Sequence, residues 1–206
     1  MNWLKEWAEQ AKKIVLSPVD FYEDVEQRGN YSYPIKFAVT SGIVLSLLVF
    51  VSQEIQIMAG IGTKPMPGVS VLESLFYLLL VGVISGTLGL LLQSGFIHVF
   101  VKLFGFDGYQ KTTEAVSYPT AINALFGWIP ILNLLVFIYI IYAEARGIEK
   151  MHGMSTGKAA ASVILGTVLL GLVVVLIVFI PLFWLGGIES SASAGGQTVP
   201  LEALSF

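Results

Sequence analysis

Cysteine is absent from the 206 residues, so the chain has neither disulfides nor thiolate-held metals, and its redox compartment leaves no trace in the sequence. Charge is scarce as well: 12% of the residues are Asp, Glu, Lys or Arg, where a soluble domain carries roughly 25%. Histidine occurs only at positions 98 and 152, with no Ser-His-acid, HExxH or phosphate-loop pattern beside either, which removes the usual starting points for an enzyme. A lone His at a membrane interface reads first as a hydrogen-bonded structural residue. The net charge of −3 is too small to suggest a nucleic-acid partner. No cofactor is expected.

What is there is apolar. Hydrophobic residues make up 55% of the chain, and the charges cluster so as to leave uncharged runs at 37–53, 74–101, 115–143 and 159–188. Each is near or above the roughly 18 residues that mark a spanning helix. Residues 1–34 carry Glu6, Glu9, Asp20, Glu23, Asp24 and Glu26 among their bases, unlike the n-region of a cleavable signal peptide. The first span is therefore expected to stay in the mature protein. The third run would be about 43 Å long as one helix, against a hydrocarbon core of about 30 Å. Pro130, after Gly127, removes a helical hydrogen bond and disfavours helix at Ile129.

The expectation is thus an all-α, polytopic bundle of about five spans, near 35–57, 73–101, 112–127, 130–147 and 157–185. Lysine and arginine test it independently, because short cytoplasmic loops collect them. With a cytoplasmic N-terminus and five spans, ten of these residues lie inside and only Lys64 lies outside; with four spans the split falls to seven against four. Two helices of about 14 apolar residues would reach only about 21 Å each, so a re-entrant hairpin over 112–147 stays open.

Individual segments add detail. Residues 2–16 place Trp3, Trp7, Ala11 and Ile14 at helical spacing opposite Lys5, Glu9 and Lys12, the pattern of an amphipathic interfacial helix with two tryptophan anchors; a helix packed on the protein's own loops is the plainer alternative. Ser17 and Asp20 around Pro18 suggest a second short helix over about 18–27. Gly60, Gly62, Pro65, Pro67 and Gly68 read as an irregular outer connector. Gly82, Gly86 and Gly89 are candidates for close helix packing, within the chain or with a partner. Gln93, His98, Asn123 and Asn133 are the polar candidates inside the spans, where each is costly unless paired. The two asparagines flank the Gly127–Pro130 break, so their amides are expected to serve backbone groups freed there. Glu144, Arg146, Glu149, Lys150 and His152 read as a solvated cytoplasmic loop, and 187–206 as a flexible outer tail.

The order of features resembles the prokaryotic branch of the Ypt/Rab-interacting protein family, whose membrane domain is the Yip domain. The resemblance rests on Leu16-Ser17-Pro18-Val19-Asp20-Phe21-Tyr22 before the first span and on Phe104-Gly105-Phe106-Asp107-Gly108-Tyr109. It extends to Ala115-Val116-Ser117-Tyr118-Pro119, Gly127-Trp128-Ile129-Pro130 and His152 through Ala159. It implies a five-span membrane domain with a cytoplasmic N-terminus in a prokaryotic plasma membrane. It also implies a non-enzymatic scaffold or adaptor that associates with itself or with other membrane proteins; a small-GTPase partner follows by family analogy only. The rival expectation is a small transporter, channel or lipid-translocating protein, in which Gln93, Asn123 and Asn133 would face one cavity.

Overall fold

The computed structural model describes residues 2–62 and 68–180, and every regular element among them is helical. Lys64, Pro65 and Pro67 of the expected outer connector, the end of the expected fifth span and the tail 187–206 lie outside the described residues. The chain divides into two compact units, 1–167 and 168–206.

In the first unit, α1 (Trp3–Leu16) starts at Asn2, whose side chain accepts the Leu4 N–H, and α2 (Pro18–Asp24) begins with Pro18 as its first residue and stops at Val25, short of the expected end. Three long helices follow: α3 (Ser32–Met58), then α4 (Val71–Ile84) joined through a wide π-type turn (Ser85–Gly89) to α5 (Leu90–Leu103). Ser70 and Glu73 cap the start of α4 reciprocally, side chain to backbone N–H in both directions. Two short helices, α6 (Tyr109–Ser117) and α7 (Thr120–Phe126), lead through Gly127–Pro130 to α8 (Asn133–His152), which ends at Gly153 with φ +65°. The helix α9 (Thr156–Val174) opens with residues of the first unit; in the second unit, helix continues to Ile180, and Val168, Leu172 and Leu176 are exposed.

Four helical stretches are long and apolar enough to cross a membrane: Ser32–Met58, Val71–Leu103, Pro130–His152 and Thr156–Ile177. The expected third span, 112–127, is not one helix but two, parted at Tyr118 and Pro119. The cause is local: Pro119 has no N–H to offer the Ala115 carbonyl four residues back. That carbonyl instead accepts the Tyr22 hydroxyl at 2.6 Å. The Ser117 and Glu114 carbonyls beside it accept the hydroxyls of Thr120 and Ser117. Gly147 on α8 makes room for Tyr22, since a Cβ there would fall 2.6 Å from the ring. Burial pushes the Tyr22 hydroxyl well above its usual titration range, so it stays a donor at any physiological pH.

Burial is confined to one end of the long helices. On α3 the buried positions run from Tyr33 to Ser46 and stop, on α8 they gather between Ala143 and Met151 apart from Val136, and on α9 they are Ala159, Ser162, Val163 and Gly166. The other halves expose Val51, Ile55, Leu134, Leu135 and Ile138. Lipid tails solvate such side chains as well as a protein core does, so nothing drives them inward.

The tryptophans of α1 turn toward the protein. Trp7 is buried and donates its indole N–H to Ser41, while Trp3 donates to Thr40, at 3.1 and 2.9 Å; the two residues expected as headgroup anchors thus spend their polar atoms on α3. Gly82 and Gly86 lie against this same chain: a Cβ on Gly82 would sit 2.5 Å from the Gly42 carbonyl oxygen, and one on Gly86 2.7 Å from Val39 Cα. Gly89 has no such neighbour, its nearest being Ser85 of its own helix at 4.0 Å.

Two outcomes are expected from thermal unfolding in lipid nanodiscs. Gly82→Leu forces α3 and α4 apart and destabilises by at least the roughly 1–3 kcal/mol of an overpacked core, while Gly89→Leu is tolerated. Tyr22→Phe leaves the Ala115 carbonyl without a donor and costs about 1–3 kcal/mol.

Candidate functional site

Three helices, α5, α6 and α8, meet at the densely packed end, and their facing sides carry more polar groups than a lipid-embedded core tolerates unpaired. The buried residues of α6 are Thr112 through Ser117, Glu114 among them. Facing them, α8 buries Glu144, which is 2% exposed. That overturns the reading of Glu144 as part of a solvated loop. Its neighbours Arg146 and Glu149 are half-buried and paired with each other at 2.7 Å. The apolar face of α8 runs Ile140, Glu144, Ile148, Met151, at intervals of four and three, so Glu144 occupies a core position on a helix that does not end where the charges begin.

Two separate constellations result. Gln93 on α5 donates its amide N–H to Glu144 Oε1 at 2.7 Å, while Glu144 Oε2 is buried without a partner. Further along, five residues on α5 and eight on α8, or about 8 and 12 Å by helical rise, His98 Nδ1 lies 2.9 Å from Thr112 Oγ1, and the same hydroxyl lies 3.0 Å from His152 Nε2. The two imidazoles, 6.3 Å apart by ring centre, share one proton-bearing oxygen. Since a hydroxyl has a single hydrogen to donate, at least one ring must present an N–H to it, so the tautomer of one histidine constrains the other. His98 therefore meets a second titratable group, His152, through the hydroxyl. Thr112 between them is fully buried, however, and no substrate atom reaches the hydroxyl.

Glu114 differs from Glu144. Its two oxygens share the Arg28 backbone N–H at 3.1 and 3.2 Å, and the Tyr118 hydroxyl adds a second donor at 3.2 Å. The carboxylate thereby pins the linker between α2 and α3 to α6. Arg28 reaches on to Glu6 at 3.0 Å, and Gln27 donates to the Met151 carbonyl.

The other polar candidates do not join this site. Asn123 and Asn133 are exposed; Asn133 donates to the Gly127 carbonyl at 3.5 Å, and Asn123 folds its amide over Gly127, where a side chain would collide with it. Trp128 caps the Leu125 carbonyl at 2.8 Å, so the break at Gly127–Pro130 is served by its own neighbours. Gln93, Asn123 and Asn133 therefore do not converge on one cavity. The crevices run along the N-terminal helices instead: one of about 470 Å³ is lined by Gln10, Lys13, Phe21, Asp24 and Arg28, another of about 440 Å³ by Glu9, Lys12, Leu16 and Asp20. Among the described residues no three His, Cys, Asp or Glu side chains gather as a metal site would need.

Charge alone draws Glu144 into a loop, while Thr112 and Glu114 fall inside the expected span 112–127 with no local pattern to mark them as buried partners. The helical period through Ile140, Glu144 and Ile148 was the signal that places the first of them inward. Thr112→Val, which keeps the shape and removes the shared hydroxyl, is expected to cost about 1–2 kcal/mol in thermal unfolding and to uncouple the two imidazole signals in a nitrogen NMR titration.

Comparison with protein families finds the Yip1 domain over residues 12–186. No curated protein and no solved structure matches. The matched stretch holds both buried constellations, the Tyr118-Pro119 break and all but the first turns of α1, and on that match the chain belongs to the Yip1 domain family.

Proposed function

We propose that the chain is a non-enzymatic membrane scaffold of prokaryotic type whose densely packed end faces the cytoplasm and presents α1, α2 and the turn after α8 to other proteins. The observation that carries this reading is the one-ended core. The half of each long helix that exposes apolar side chains suits lipid, and the half that buries them is roofed by α1 and α2, whose outer faces show Lys5, Glu9, Lys12, Asp20 and Glu23 to solvent. Lys36, Lys102, Lys111, Arg146, Lys150 and Lys158 also belong to that end, the side that short basic loops occupy. The failure of Gln93, Asn123 and Asn133 to share a cavity weighs against the transporter alternative. A small GTPase is one partner class that the family suggests; other membrane proteins, or further copies of this chain, are the broader one.

The proposal includes five crossings, with the broken pair α6–α7 as the third. In that arrangement α8 and α9 run in opposite senses from a common cytoplasmic turn and both outer connections stay free of all basic residues but Lys64, a charge balance that a re-entrant pair shares.

Because the chain has no cysteine, single cysteines report topology cleanly. Glu9→Cys and Ser155→Cys are expected to react with a membrane-impermeant maleimide only after permeabilisation, and Ile61→Cys and Ile131→Cys without it. Reaction of Ile131→Cys only from the cytoplasmic side would make α6–α7 re-entrant. For the scaffold role, proteins that co-purify in native nanodiscs are expected to be lost with the double change Lys5→Glu and Lys12→Glu, which leaves the buried face of α1 intact. A stoichiometric lipid or solute with no protein companion would overturn it.

A further inference from the structure

Glu144 stands apart from every other acidic side chain among the described residues. It lies inside a helix able to cross the membrane, it is 2% exposed, and only one of its oxygens has a partner. We propose that Glu144 is a proton-binding site within the bundle, occupied at neutral pH, with Gln93 as the residue that follows its proton. This assignment does not depend on the scaffold reading.

The argument begins with what surrounds the carboxyl. From α5 it faces Gln93, a neutral amide; His98 and Lys102 lie one and two turns further along that helix. From α2 it faces the Tyr22 side chain, whose hydroxyl is spent on Ala115. From α6 the charged groups are Lys111, which is exposed, and Glu114, which is held by Arg28 and Tyr118. The elements α7 and Pro130–Leu132 offer no titratable side chain. On α8 itself Arg146 pairs with Glu149 at 2.7 Å and Lys150 with Glu23 at 3.6 Å. Among the described residues no cation pairs with Glu144.

An ionised carboxylate here would hold a full charge in a low-dielectric setting with one neutral donor, an arrangement that burial strongly disfavours. Glu114 supplies the contrast within the same protein: three contacts from two donors converge on its oxygens, the environment of an anion. A metal ion in place of the proton would want several oxygen ligands, and among the described residues no acidic or imidazole cluster converges there. A single proton on the carboxyl matches what is present.

Gln93 adapts to either state. Its amide carries donors on nitrogen and acceptors on oxygen. With Glu144 ionised, the nitrogen donates to Oε1, as in the 2.7 Å contact. With Glu144 protonated, a half-turn of the amide lets the oxygen accept the carboxyl O–H over the same span. The α5–α8 contact therefore survives a change of protonation, as a site that binds and releases a proton requires.

Infrared spectroscopy of the full chain, reconstituted in phosphatidylethanolamine–phosphatidylglycerol vesicles, tests this directly. At neutral pH a carbonyl band of a protonated, buried carboxyl is expected, lost in Glu144→Gln, unchanged in Glu114→Gln and fading as the pH is raised. Gln93→Leu, which retains the carboxyl, should keep the band and move it to higher frequency as its hydrogen bond is lost; this variant decides the matter should Glu144→Gln fail to fold. A wild-type spectrum with no such band at neutral pH, or a band that persists in folded Glu144→Gln, overturns the assignment. Displacement of the band by sodium at constant pH would overturn it in favour of a metal cation.

Discussion

A missing hydrogen at Pro119 organises the packed end of this protein. The proline leaves the Ala115 carbonyl without its helical donor in a region where water is not at hand to replace it. The Tyr22 hydroxyl, arriving from an element 93 residues earlier in sequence, fills the vacancy. For the ring to arrive, α8 must be bare where it passes, and Gly147 is there, at roughly 1 kcal/mol of helix propensity. Phe21, beside Tyr22, then packs edge-on to Tyr118 at 4.8 Å, and Phe37 of α3 meets the other side of that ring at 5.2 Å. A defect in one short helix thus becomes the reason that α2, α3, α6 and α8 share a core.

The rest of the architecture follows from having two solvents. Where the helices meet lipid, packing gains little over solvation by acyl chains, and small residues are needed only where backbones touch, as at Gly42, Gly82 and Gly86. Where they meet one another and the roof of α1 and α2, the interior resembles that of a soluble protein, complete with buried hydroxyls, carboxyls and indole N–H groups. Trp3 and Trp7 illustrate the difference. Their pattern along α1 suits a bilayer surface, but Thr40 and Ser41 stand ready as acceptors on α3, and a partner in fixed geometry holds an indole more specifically than a headgroup region does.

How much of this was legible in the sequence depended on whether the signal was compositional or relational. The four long apolar helices, the chain break at Gly127–Pro130 and the Pro18 start of α2 all announce themselves locally, by run length or by the geometry of proline. The break at Tyr118-Pro119 carried the same local signal but lay inside an uncharged run, where hydropathy argued for continuity and prevailed. Gly42 carries its packing signal only together with Ala38 and Ser46, small residues repeating with it at intervals of four. Charge alone places Glu144 in a loop; the helical period through it places it in the core. What no local reading could supply is which hydroxyl would reach which carbonyl across the fold.

The wide turn at Ser85–Gly89 has a consequence for the phase of the whole second membrane helix. Gly82, Gly86, Leu90 and Ser94 are all buried, yet residues spaced by fours drift round an ideal helix, and Ser94 would stand about 120° from Gly82. A turn that absorbs one extra residue takes back about 100° of that rotation. The stripe is therefore straight, and one continuous helix can hold α3 with its first half and present Gln93 and His98 to α6 and α8 with its second. Drawing that turn in to regular α-helix with every residue kept would leave the hydropathy of the segment untouched while swinging everything beyond it by about 100° toward the lipid.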